Sequence, residues 1–117
     1  MILIDTSAWV DHFRRRNHDL AHFLQEGEVL MHESVIGELA CGSLKNRKEI
    51  LTLLRELPYA VSARSEEVLT MIESRRLFGR GIGWIDAHLL ASALLSRCRF
   101  WTLDKRLQSL AGEMGLI

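Results

Sequence analysis

Four acidic residues stand where burial and helix propensity alone would not put them. Asp5 closes the apolar run 1–4, and Asp104 closes a second short run, 100–103. Glu38 lies between Ile36 and Leu39 in a helical pattern, with Ser34, Cys41 and Gly42 three or four residues away. Asp86 follows Gly79, Gly81 and Gly83 and opens the most hydrophobic helical stretch of the chain. Carboxylates gathered in one place must either protonate or hold a cation. A hard divalent ion, Mg2+ or Mn2+, bound by carboxylate oxygens and water, is the natural counterion. Such an ion acidifies a bound water and acts as a Lewis acid. No activated Ser or Cys, and no His beside the acids, offers another route. Taken singly, each acid has a plainer reading. Asp5 and Asp104 would serve as helix N-caps, and Asp86 as a favourable charge at a helix N-terminus. Glu38 resists that reading, because a carboxylate aimed at a core needs a partner.

The elements that must position these acids follow from hydrophobic spacing. The continuous apolar run 1–4 predicts a strand buried on both faces. Further short strands are predicted over 29–31, 59–62 and 100–103. Helices are predicted over 7–16, 18–25, 33–41, 46–57, 65–78 and 85–97, with a last one starting at Asp104. Gly27 and Gly42 end the second and third helices, and Pro58 ends the fourth. This alternation predicts an α/β fold in one domain over 1–117, a short parallel-type central sheet flanked by helices. Ligands of such sheets lie outside the carboxyl ends of the strands, so Asp5 and Asp104 should face one crevice.

Composition narrows the function classes. Fifteen Lys and Arg balance fifteen Asp and Glu, which excludes binding by bulk positive charge. A local basic rim stays open. One Pro and eight Gly in 117 residues do not describe a disordered chain. Cys41 and Cys98 form no CxxC pair and are expected to be reduced core thiols of a cytoplasmic protein. No apolar run approaches the roughly 20 residues of a membrane span, and no basic leader precedes the first strand.

The blocks Leu3-Ile4-Asp5-Thr6-Ser7, Val35-Ile36-Gly37-Glu38-Leu39, Ile85-Asp86-Ala87-His88-Leu89-Leu90-Ala91 and Thr102-Leu103-Asp104 together resemble the PIN-domain ribonucleases. Their order covers almost the whole chain. Its compact length and the glycines before Asp86 are similar to the VapC toxins of bacterial toxin–antitoxin pairs. The resemblance implies a PIN-like fold and a Mg2+- or Mn2+-dependent endoribonuclease leaving 5′-phosphate and 3′-hydroxyl ends. It implies a metal-binding catalytic set of Asp5, Glu38, Asp86 and Asp104, supported by the hydroxyls of Thr6 or Ser7 and of Thr102. The family often carries a further acid just after the last Asp, whereas this chain has Lys105 and Arg106. One tight metal site is therefore expected, with a second filled only alongside RNA. The resemblance also implies a cognate VapB-like antitoxin, a homodimer and a heterotetramer or larger assembly with that antitoxin. Transfer, ribosomal and messenger RNA all remain open as the substrate.

An RNA backbone needs local positive charge. Arg14, Arg15, Arg16, Arg75, Arg76, Arg80, Lys105 and Arg106 are the candidates for phosphate contacts. Trp9, Trp84 and Trp101 are expected in the core or an interface, and Trp9, Phe13, Phe23 and Leu54 suggest apolar area to spare for a dimer. His18 and His22, one helical turn apart, lack a third ligand for zinc. His88 is expected to be a helix residue with a satisfied ring. A reading from another class is a PIN-like module that binds RNA or protein without useful catalysis. Four mutually repelling acids argue against it.

Overall fold

The computed structural model describes residues 1–117. In chain order the elements are β1 (Ile2–Ile4), α1 (Thr6–Arg15), α2 (His18–Gln25), β2 (Val29–Leu30), α3 (Glu33–Cys41), α4 (Arg47–Arg55), α5 (Ser65–Ser74), α6 (Trp84–Ser96), β3 (Arg99–Trp101) and α7 (Lys105–Glu113). The sheet order is β2-β1-β3 and both pairings are parallel. Parallel strands must be joined by crossovers, and helices supply them here. β1, the central strand, is buried along its whole length, as its unbroken apolar run requires.

The core is one cluster around this sheet. Its largest fully buried side chains include Trp9, Phe100, Leu3, Ile4 and Leu20. α6 carries buried residues almost all round, with Ala87, Leu89, Leu90, Ala91, Ser92 and Ala93 all inside. A helix so nearly apolar can only be an interior one. No helix is long and apolar enough to cross a membrane.

Four expectations are corrected. Residues 59–62 are not a strand: a single parallel bridge joins Tyr59 to Met31, and the chain then turns away to meet α6. α5 ends at Ser74 rather than near Phe78. Arg76 takes a left-handed φ of 54°, and the Leu77 N–H returns to the Ile72 carbonyl, which seals the helix end. Cys98 is buried as expected, but Cys41, at the last turn of α3, is exposed. Trp9 and Leu54 are interior residues, and Phe13 and Phe23 pack partly buried against the core. Trp9 and Leu54 therefore add nothing to the exposed apolar surface, whereas Phe13 and Phe23 stay partly accessible.

Candidate active site

Adjacent parallel strands β1 and β3 deliver Asp5 and Thr102 side by side at their carboxyl ends. The ladder continues one residue past β1, where the Asp5 N–H donates to the Trp101 carbonyl at 2.9 Å. Asp5 stands at the N-cap position of α1, yet its side chain makes no capping bond. One oxygen, Oδ2, accepts the hydroxyls of Ser7 at 2.8 Å and Thr102 at 2.7 Å. Those same hydroxyl oxygens accept the N–H groups of Leu103 and Asp104, at 3.0 and 3.1 Å. The two hydroxyls also lie 3.2 Å from each other, and together these bonds fix the 102–104 segment against the first turn of α1. No hydrogen bond of the protein engages the other Asp5 oxygen.

The remaining three acids repeat that division. Thr6, the first residue of α1, donates to Oε1 of Glu38 on α3 at 2.7 Å. Glu38 is exposed rather than core-facing, which corrects the expectation, and Thr6 is the partner it requires. Asp86, half-buried at the start of α6, accepts the Gly83 N–H on Oδ2 at 3.1 Å. Asp104 caps α7, its Oδ1 accepting the Leu107 N–H at 3.0 Å. The capping reading of Asp104 is thus right as far as one oxygen goes. In all four carboxylates one oxygen is tethered to the chain and the other is left to an outside partner.

Electrostatics tie three of them together. Burial raises the Asp86 carboxyl above its ordinary value. The Gly83 N–H works in the opposite direction, and the charges of Asp5 and Asp104 raise it further. Asp86 therefore senses both strand-end acids. No three His, Cys, Asp or Glu side chains stand close enough to grip one ion between them. The donors offered are carboxylate and hydroxyl oxygens without thiolate or imidazole, a set that suits a hard cation retaining several waters.

The predicted basic rim is divided by the structure. Arg15 pairs with Asp11 at 2.7 Å, and Arg80 pairs with Glu113 at 2.6 Å. The Arg106 guanidinium lies against the Gly81 backbone, where an added Cβ would meet it at 2.7 Å. Arg16, Arg75 and Arg76 are exposed at helix ends. Arg14 and Lys105 remain exposed without an ion pair. Lys45 is likewise exposed and unpaired, and spacing gave no means of finding it, because only the fold sets it opposite Arg14.

A buried polar cluster lies behind the site. The Ser34 N–H donates to His32 Nδ1 at 3.0 Å, so the ring proton sits on Nε2 and points to Ser92 Oγ, 3.0 Å away. Ser92 also accepts the Ala63 N–H at 3.0 Å. Burial and the neighbouring His88 hold His32 below its ordinary value, with Glu33 acting in the opposite sense. His88 itself corrects a prediction: its ring packs edge-on against His32 and Trp84, and its Nδ1 is buried without a partner. His18 and His22 are exposed on α2 and join no metal-sized group.

A three-stranded parallel sheet with Asp5 and the Thr102–Asp104 segment at its strand ends, and Glu38 and Asp86 linked to them from helices, defines a class of α/β domain to which comparison with known proteins gives a name. The PIN domain family model matches residues 2–113, and the chain belongs to the PIN-domain family. It is also 44% identical over 117 residues to Ribonuclease VapC32 of Mycobacterium tuberculosis strain CDC 1551 / Oshkosh. The same identity holds for Ribonuclease VapC32 of strain ATCC 25618 / H37Rv, over 99% of this chain and 94% of that protein.

Proposed function

We propose that this protein is a VapC-type endoribonuclease toxin that requires Mg2+ or Mn2+. The observation that carries the reading is the divided role of its acids. Asp5, Glu38, Asp86 and Asp104 each commit one oxygen to the chain and keep the other free. These four residues would hold the ion largely through the waters it retains, because no three of their side chains converge closely enough to grip it directly. When bound, it supplies an acidified water and a Lewis acid for an RNA phosphodiester. The protein's own part is preorganisation. The Ser7 and Thr102 hydroxyls fix the Asp5 carboxylate, Thr6 fixes Glu38, and the Gly83 backbone fixes Asp86. A raised Asp86 carboxyl accords with this role, because a cation relieves the repulsion that burial and its neighbours impose.

The same reading includes a cognate VapB-like antitoxin that inhibits by setting a basic side chain among the acids. It includes a homodimer in the cytoplasm, joined by antitoxin into a heterotetramer or larger assembly. Exposed Val61, Phe78 and Leu95 supply apolar surface for such contacts. Light scattering of the protein alone and with antitoxin reads both assemblies.

Purified protein incubated with total bacterial RNA and Mg2+ should give discrete fragments that EDTA abolishes. Fragments persisting in excess EDTA would overturn the metal mechanism. If Mn2+ raises neither the melting temperature nor activity, the non-catalytic module is the better reading.

A further inference from the structure

A groove of about 470 Å3 opens beside the acids, between α1 and the segment that leaves α3. Val10, Phe13 and Arg14 line one wall, and Glu38, Leu44 and Lys45 line the other. We propose that this groove seats the RNA nucleotide next to the scissile phosphate. Its base lies on Phe13 and Leu44, and its backbone phosphate sits between Arg14 and Lys45. The assignment rests on the ribonuclease reading above and adds where the substrate strand runs.

Continuity is the first support. Glu38 belongs both to the groove and to the acidic edge, through its 2.7 Å bond from Thr6, the residue after Asp5. A strand whose phosphate lies at the acids passes Glu38, which lines the groove as well. Charge is the second. Arg15, Arg64, Arg80 and Arg99 have carboxylate partners; of the cations without one, Arg14 and Lys45 are the two that line this cavity. Two unpaired cations over an apolar floor suit a phosphate joined to a flat ring. An apolar peptide would cover the floor and leave both charges unanswered. Rigidity is the third. Phe13 is stacked on the fully buried Trp9 ring, with centroids 5.8 Å apart and planes 21° apart, so its ring is a fixed platform. Bases stack on such platforms with little regard to sequence.

The test measures binding separately from cleavage. Fluorescence anisotropy with a short fluorescein-labelled single-stranded RNA is run in Ca2+ in place of Mg2+, across a salt series. The double variant Arg14→Ala/Lys45→Ala changes two exposed positions and should melt as wild type. It should bind RNA roughly tenfold or more weakly, with a salt slope smaller by about one per cation removed. The charge-keeping pair Arg14→Lys/Lys45→Arg should restore most of the slope, and Phe13→Leu should weaken binding without changing it. An unchanged affinity and slope in the double variant, with wild type still cutting RNA, overturns the groove alone. Wild type that neither binds nor cuts RNA overturns the ribonuclease reading, and the groove assignment falls with it. Unchanged RNA affinity coupled to lost binding of the antitoxin makes the groove a protein site and also overturns the assignment.

Discussion

Asp86 is the residue at which stability and chemistry oppose each other. Its folded carboxyl is raised, so whatever it contributes to stability is fully present below its ordinary value of 3.8. That contribution is lost as pH climbs through the raised value, and at neutral pH the charge works against folding. Asp86→Asn should therefore melt higher than wild type in EDTA, and the gap should grow from acid to neutral pH. The amide oxygen can still accept the Gly83 N–H. Cleavage should fall by roughly 100-fold or more, since even outer-shell partners of metals cost up to about that much. Asp104→Asn is the contrast. Asn caps as well as Asp, and the change removes only one of the lesser charges that raise Asp86, so its melt should rise by less than that of Asp86→Asn while cleavage is lost. Scanning calorimetry beside a cleavage assay reads both variants. All four acids were legible from their places at strand ends and in the helical patterns. What spacing could not supply was which oxygen each commits, or that Glu38 faces solvent. Those depend on Thr6, Ser7 and Thr102 meeting their acids across up to 97 residues of chain.

At the scale of elements, the glycine-rich loop before α6 is tied down by α7. Arg106 packs over Gly81, and Arg80 reaches Glu113. Gly81 has a φ of +81°, so Gly81→Ala adds backbone strain to a clash with Arg106. A left-handed non-glycine residue costs about 1–2 kcal/mol, and a denaturant titration should show at least that loss. Arg106→Ala in the same chain should recover only the steric part. Because the loop places Asp86, the melting shift on adding Mn2+ should also shrink in Gly81→Ala. Helices such as α2 and α3 were legible to the residue, since apolar spacing and a following Gly mark them. The supposed strand at 59–62 was not, because pairing beyond Tyr59 depends on an edge that β2 is too short to offer.

Over the whole molecule, His32 ties the β2–α3 junction to α6 and to the segment before α5. It does so in its neutral form, Nδ1 accepting from Ser34 and Nε2 donating to Ser92. The charged and titratable groups near it are His88, which opposes protonation, and Glu33, which favours it. A histidine with a lowered folded value gives stability that is complete above its ordinary 6.5. As pH falls below that point the unfolded chain takes up a proton that the fold refuses, and stability declines. The metal-free protein should thus lose stability from about pH 7 to pH 5. His32→Gln should flatten that dependence while lowering the melt overall. Melts across this pH range check the sign. The interior cluster was invisible in the sequence, where His32, Ala63 and Ser92 are separate residues of unrelated segments.

The two thiols lie in opposite environments, and this gives the protein a built-in labelling position. Cys98 is buried and its thiol is raised by burial, so it stays unreactive. Cys41 is exposed at the end of α3, immediately before the Gly42–Lys45 stretch that walls the groove. A maleimide fluorophore added to the unmodified chain will therefore attach at one place. It will sit at the lip of the groove, where its emission registers whether RNA or antitoxin has arrived, without any engineered cysteine.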